Sequence, residues 1–207
     1  MDQFEHFNKT AENFYLQLDF IHSLQDQTRH IHNLRVLDYG SGSQVIGRFG
    51  MIQKDQEVVL AYDPMSDITP SVSKNIPGAE VRRTNQAPTG EKFHLIVCNF
   101  SLHHVNGDLD SVIKELTVYS PEIIGITDYD FTEASLEDFR KTFISEQEIK
   151  ELNTLFNGDW QACFDYHRRL GLNDFRRCLQ ESGFNLVVSK AGDKIAKNKF
   201  FLVGKKI

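Results

Sequence analysis

The sequence predicts an α/β fold: a doubly wound, mostly parallel sheet of about seven strands with helices on both faces. Three observations carry the prediction. The apolar run Val36-Leu37-Asp38-Tyr39 ends in a two-glycine turn, Gly40-Ser41-Gly42. About twenty residues on, Val58-Val59-Leu60-Ala61-Tyr62-Asp63 repeats the pattern and closes on a carboxylate, the spacing at which such a sheet holds ribose hydroxyls. Beyond both, strand-like and helix-like segments alternate along the chain. Side chains cannot fill a glycine turn, so its backbone can approach a ligand and its N–H groups are free to point at one. An adenosine-containing ligand is expected.

Each element has its own signal. Phe4, Phe7, Ala11, Phe14, Tyr15, Leu18, Ile21 and Leu24 recur at helical spacing, which predicts a helical N-terminal cap over residues 1–33. Strand-like runs follow near 34–39, 57–62, 79–83, 93–99, 121–128, 184–190 and 199–204, with helices such as Asp108 to Thr117 and Leu172 to Ser182 between them. The run from Phe93 to Phe100 is apolar on both faces at its centre, as a buried parallel strand should be. The last two runs, joined by Ala191-Gly192-Asp193-Lys194, read as a C-terminal antiparallel hairpin. The stretch from Asp128 to Asn173 is too long for a simple crossover and carries Phe131, Phe139, Phe143, Phe156, Trp160, Phe164 and Tyr166. It predicts extra helices over the carboxyl edge of the sheet, where this class of fold binds ligands. One domain therefore divides into a cap (1–33), a cofactor-binding core (34–128), a helical lid or insertion (129–171) and a last helix with the hairpin (172–207).

Composition narrows the partners. The 207 residues carry 23 Lys and Arg against 29 Asp and Glu, a net charge of −6, with no long run of either sign. No nucleic-acid partner is expected from that balance. No apolar run approaches the ~18 residues of a membrane span, and the start Met1-Asp2-Gln3-Phe4-Glu5-His6 lacks the order of a secretory signal. Cys98, Cys163 and Cys178 are odd in number and widely spaced, which suggests neither a disulfide framework nor a zinc cluster. A reduced, cytoplasmic protein acting on a small molecule, away from membranes, is the expectation; the oligomeric state is not encoded legibly.

Four features stand in order on the expected elements: the VLDYGSG run, the Ala61-Tyr62-Asp63 strand end, the run Asn99-Phe100-Ser101-Leu102-His103-His104-Val105, and Gly183-Phe184 before the hairpin. Together they resemble the class I S-adenosylmethionine-dependent methyltransferases, which have a Rossmann-like core. The resemblance covers about Arg35 to Ile207, excluding the insertion. It implies that Asp38, Gly40 and Gly42 hold the methionine end of S-adenosylmethionine and that Asp63 holds its ribose. Pro64 and Met65 would flank the adenine, Asn85 and Gln86 would meet its edge, and Asn99 and Phe100 would lie beside the methionine portion and the sulfonium. The sequence departs from the family in three places. Gln44 stands at a common third glycine, amides stand at an adenine-edge position that is often acidic, and His94 stands where an aspartate is common. A nicotinamide dinucleotide uses a similar turn, but its fingerprint needs a small residue where Val45 stands. A pyrophosphate would also be repelled by Asp38, whereas an α-amino group would be attracted.

Methyl transfer from a sulfonium is an in-line displacement, so alignment is the protein's main task and a base is needed only for a protonated acceptor. The side chains at the relevant strand ends are His103, His104, Asp128, Tyr129 and Asp130. His103 and Tyr129 are the catalytic candidates, since a histidine there can take a proton near neutral pH. The histidines could equally pack the following loop, and either aspartate could cap the next helix. Asp128-Tyr129-Asp130 matches a metal-assisted acid cluster only in part, so no metal is assigned. The absence of proline after Asn99 argues against amide or base-amino acceptors, and Cys98 reads as a core cysteine. Tyr15, His104, Tyr166 and Arg168 are the acceptor-side candidates, with the arginine able to pair an acceptor carboxylate or phosphate. The implied function is methyl transfer to a small molecule. The alternatives are a methyltransferase-like protein that binds cofactor or partner without transfer, and a NAD-type oxidoreductase.

Overall fold

A computed structural model describes residues 3–41, 56–63, 71–76, 79–104, 108–143, 146–192 and 197–207. Its strands are β1 (Leu34–Tyr39), β2 (Gln56–Tyr62), β3 (Ser71–Ile76), β4 (Ala79–Thr84), β5 (Leu95–Asn99), β6 (Ile123–Tyr129), β7 (Phe184–Ala191) and β8 (Lys199–Lys206). They form one sheet in the order β3-β4-β2-β1-β5-β6-β8-β7. The five strands from β4 to β6 are parallel. β3 pairs antiparallel with β4, and β8 pairs antiparallel with both β6 and β7. The doubly wound sheet and the terminal hairpin are as the sequence predicts.

The eighth strand, β3, was not expected. Ser71-Val72-Ser73-Lys74-Asn75-Ile76 offers only two apolar residues, too few to signal a buried strand. It lies at the sheet edge, where polar and lysine-bearing strands are usual because only one side is paired.

Alternate strand residues point to opposite faces, and two cores result. Val36, Val59, Val97 and Phe201 pack with Leu16, Phe20, Ile21 and Leu24 of helix α1 (Gln3–Thr28). Leu37, Leu60, Ile96 and Ile126 pack with residues of α2 (Leu109–Val118) and α6 (Leu172–Glu181). Gly125 lets α1 seat on β6, because a Cβ there would lie 2.7 Å from Leu24 Cδ2 and 2.9 Å from Phe20 Cζ. Asp108 starts α2 by accepting from the Asp110 N–H.

The insertion forms three helices, α3 (Leu136–Thr142), α4 (Glu146–Leu155) and α5 (Trp160–His167). Ser135 and Asp159 cap the first and third. Phe131, Phe139, Phe143, Leu152, Cys163 and Phe164 give these helices a core of their own.

The chain winds from β1 outward through β2 and β4, then returns to β5 and winds the other way through β6. The β1/β5 boundary is therefore the switch point, and a ligand crevice is expected at the carboxyl ends of these two strands. Among the described residues no helix is long and apolar enough to cross a membrane.

Candidate functional site

Gly40 ends β1 at φ +71°, in the left-handed region that favours glycine. A Cβ there would stand 2.5 Å from Ser101 Cβ and 2.9 Å from Ser101 Oγ, so the position excludes a side chain twice over. Ser101 Oγ in turn donates to the Tyr39 carbonyl at 3.0 Å, tying the turn to the end of β5. The turn's amides are less available than expected: Gly40 N–H and Ser41 N–H both donate to the Tyr62 carbonyl, at 2.7 and 3.2 Å. Those two donors close the β1–β2 corner and do not reach toward a ligand. Gly42, Pro64 and Met65 lie outside the described residues, as do Gln44 and Val45.

Two carboxylates flank this corner. Asp38, near the end of β1, is 1% exposed, and Asp63, just past β2, is 8% exposed. Asp63 is held by its own N–H, which donates to the Thr84 carbonyl at 3.1 Å. Carboxylates are seldom this buried unless something positive or hydrogen-bonding meets them. Asn85 and Gln86 sit exposed past β4, where the Gln86 N–H donates to Thr84 Oγ1 at 3.0 Å. Asn99 accepts from Thr127 Oγ1 at 2.6 Å, which fixes its amide across β5 and β6. Phe100 follows at φ +50°, a sparsely populated conformation for a non-glycine residue. Its ring packs 5.0 Å from that of Tyr129.

The β5 and β6 ends carry the second half of the site. The buried Asp128 carboxylate accepts four hydrogen bonds: Leu102 N–H and His103 N–H on Oδ2, Tyr129 N–H and His103 Nδ1 on Oδ1. The last, at 2.6 Å, orients the His103 ring through its Nδ1–H. Asp130 does what a turn carboxylate does, accepting from Leu172 N–H to start α6. Tyr129 donates to Glu148 Oε1 at 3.1 Å. Burial and the Glu148 charge push its phenol well above its ordinary pKa, so it keeps its proton and serves as a donor.

The insertion brings further groups here. His167, 2% exposed, donates from Nδ1 to the Cys163 carbonyl at 2.8 Å. Burial drives its pKa down to about 4, so it is neutral near pH 7. Glu151 Oε1 lies 3.2 Å from His104 Nδ1 and 3.5 Å from His167 Nε2. Burial opposes the charges on both members of the His104–Glu151 pair, but their mutual attraction wins: His104 is held above its ordinary value and Glu151 below. Tyr166 donates to the His104 carbonyl at 3.2 Å, and the Arg169 guanidinium lies 3.8 Å from its ring centroid.

His103, His104, Tyr129 and Tyr166 thus converge under the insertion. Two acceptor-side expectations do not. Arg168 is exposed, pairs with Asp165 at 3.1 Å and stacks over Phe164, because it caps the outer end of α5. Tyr15 is 66% exposed on α1, the helix that covers the opposite sheet face from α2 and α6. His94, which stands where an aspartate is common, is structural: its Nδ1 accepts from the Arg35 N–H at 3.0 Å. Sequence reasoning missed Glu148, Glu151 and His167. His167 lay within the Tyr166–Arg169 run, but only the fold brings it to His103.

No protein-family model matches the chain, and no curated protein matches its sequence. Solved structures do match it. Magnesium protoporphyrin IX methyltransferase from Synechocystis PCC 6803, with bound SAM, superposes with a TM-score of 0.62 at 12% identity, covering 100% of this chain and 86% of that one. The plantazolicin methyltransferase BpumL, in complex with SAH, gives 0.61 at 13% identity over 96% and 86%. Burkholderia thailandensis 1,6-didemethyltoxoflavin-N1-methyltransferase gives 0.57 at 13% identity over 92% and 78%. At such identities the likeness is one of fold. This chain has the Rossmann-like fold of the class I S-adenosylmethionine-dependent methyltransferases.

Proposed function

We propose that the chain is an S-adenosylmethionine-dependent methyltransferase acting on a small-molecule acceptor. The observation that carries this reading is the pair of buried carboxylates, Asp38 and Asp63, on either side of a turn that admits only glycine at position 40. Buried negative charge beside a glycine corner suits a zwitterionic amino acid joined to a ribose, and it repels a pyrophosphate. The same chemistry separates this ligand from a nicotinamide dinucleotide. The neighbours of like fold include methyltransferases crystallised with SAM or SAH, which supports the choice.

On this reading Asp38 and Gly42 hold the methionine end at the corner that Gly40 keeps tight, and Asp63 holds the ribose hydroxyls. Pro64, Met65, Asn85 and Gln86 surround the adenine, while Asn99 and Phe100 border the sulfonium. The cofactor supplies an electrophilic methyl group; the chain's residues supply its alignment. The acceptor would enter beneath α4 and α5, where His103, the Tyr129 phenol, His104 and Tyr166 are the polar groups available to orient it. The aromatic wall of the insertion excludes water around them.

Calorimetric titration with S-adenosylmethionine, S-adenosylhomocysteine and NAD tests the proposal. Saturable binding of the two adenosyl-sulfur ligands, with none of NAD, is expected. A ligand at 100 times its Kd should add about 2.7 kcal/mol to stability. Binding of NAD alone would overturn the assignment.

A further inference from the structure

Under the insertion three imidazoles from two distant parts of the chain come together. One ring nitrogen from each of His103, His104 and His167 lies within 4.8 Å of the others. Two of the three rings are already oriented by partners on their far side. Asp128 fixes His103 through Nδ1 at 2.6 Å, and the Cys163 carbonyl fixes His167 through Nδ1 at 2.8 Å. His167, neutral near pH 7, therefore directs an unprotonated Nε2 toward Glu151. The Nε2 of His167 is buried and has no hydrogen-bond partner among the described residues. An orphaned imidazole lone pair in a closed site is costly unless something electrophilic meets it. Glu151 Oε1, also buried and without an aligned hydrogen bond, stands 3.5 Å from that nitrogen and 3.2 Å from His104 Nδ1.

We propose that His103, His104 and His167, with Glu151 beside them, form a binding site for a divalent transition-metal ion of the zinc or cobalt type. The donor set fits the proposal: imidazoles suit Zn²⁺ and its neighbours, whereas Mg²⁺ prefers oxygen and water, and the Glu151 carboxylate beside them offsets the charge of the ion. The supporting shell fits as well. Histidine ligands in metal sites donate their other ring N–H to a carboxylate or a backbone carbonyl, and here one does each. Two nitrogens on one tetrahedral ion at ~2.1 Å each lie about 3.4 Å apart, so nitrogens now within 4.8 Å of one another draw in by up to about 1.4 Å around their guest. The partly exposed His104, at 40%, supplies both the movable ring and the entry path. Zinc-type sites with three protein ligands keep a further position for an oxygen ligand. A hydroxyl of the acceptor would occupy it, a clause that rests on the methyltransferase reading; the metal site itself does not.

The test uses the full chain, stripped with chelator and free of any histidine tag, with ZnCl2 and CoCl2 as probes and no S-adenosylmethionine present. Calorimetry should show one equivalent of Zn²⁺ bound, and Co²⁺ should develop the visible ligand-field absorption of a low-symmetry nitrogen site. His104→Ala, on a partly exposed ring, should fold normally and weaken Zn²⁺ binding more than ~100-fold. Asp128→Asn, which weakens the support of the His103 ring together with the backbone bonds around it, should cost about 10–100-fold. His22→Ala, on the exposed face of α1, should change nothing. Failure of the wild-type chain to bind saturably, or equal binding by wild type and His104→Ala, would overturn the site. Cofactor binding is measured in separate titrations, so either proposal can fail without the other.

Discussion

The glycine corner gives a test in which the structure supplies its own control. Gly40 and Gly90 adopt nearly the same backbone, with φ of +71° and +70°, but their surroundings differ. A Cβ on Gly90 meets nothing within 4 Å, whereas one on Gly40 stands 2.5 Å from Ser101 Cβ. Gly90→Ala should therefore cost only the left-handed conformation, about 1–2 kcal/mol. Gly40→Ala should cost that and an overpacking penalty of about 1–3 kcal/mol, for a total of about 2–5 kcal/mol. In a chain of this size that lowers Tm by about 2–4 °C per kcal/mol. Urea unfolding at constant m-value is the assay, because a changed midpoint at fixed slope reports stability alone. Ser101→Gly in the Gly40→Ala background should recover the packing part and leave the conformational part. That coupling appears as non-additivity in the double-mutant cycle. If Gly40→Ala is no more destabilising than Gly90→Ala, or Ser101→Gly restores nothing, the close approach of β1 and β5 at this corner is refuted. The geometry of the proposed cofactor site would then fall with it.

Asp63→Ala should lower S-adenosylmethionine affinity by at least tenfold, since each hydrogen bond to a charged group is worth about 1.5–3 kcal/mol; unchanged affinity by calorimetry removes Asp63 from the ribose site. Arg168→Ala should leave stability within about 0.5 kcal/mol of wild type and leave ligand binding intact, because among the described residues the exposed guanidinium meets Asp165 and Phe164; a change in acceptor turnover would return it to the site. Phe139→Ala, at the centre of the insertion's core, should cost about 3–5 kcal/mol by thermal unfolding. Gly125→Ala should cost about 1–3 kcal/mol through its collision with Leu24 and Phe20, and a neutral result would contradict the seating of α1 on β6.

The parallel core was legible because its signals are local. An apolar run, a glycine and an acid within seven residues are enough to place a strand, its end and its turn, and the same grammar placed Asp38, Gly40 and Asp63. The edge strand β3 was not legible, since a strand paired on one side needs little apolar content and Val72 and Ile76 alone do not announce it. The hydrogen bonding of the Gly40 and Ser41 amides was also hidden. The sequence shows that a turn is tight, but the partner, the Tyr62 carbonyl, depends on how β1 pairs with β2. The acceptor side was half-legible. His103 and Tyr129 sit at strand ends and could be named, whereas Glu148, Glu151 and His167 reach them only through the packing of α4 and α5. Arg168 shows the converse: charge type suggested a role that its place at the outer end of α5 removes.

The arrangement of the cores bears on how the two halves of the site relate. Residues at the ends of β1 and β2 rest on the two sheet cores, while α3, α4 and α5 are organised around a third, separate aromatic core. The insertion meets the strand ends through Tyr129, which packs against the third core and donates to Glu148, and through Tyr166 to the His104 carbonyl and the His104–Glu151–His167 cluster. All of these fall at the ends of β5 and β6. A change inside the third core should therefore alter the proposed acceptor half through those contacts, while the proposed cofactor half keeps its own support. In Phe139→Ala the loss of acceptor turnover should accordingly exceed the loss of S-adenosylmethionine affinity. Equal losses would mean that the three cores behave as one, and that the insertion supports the cofactor corner as much as it covers the acceptor.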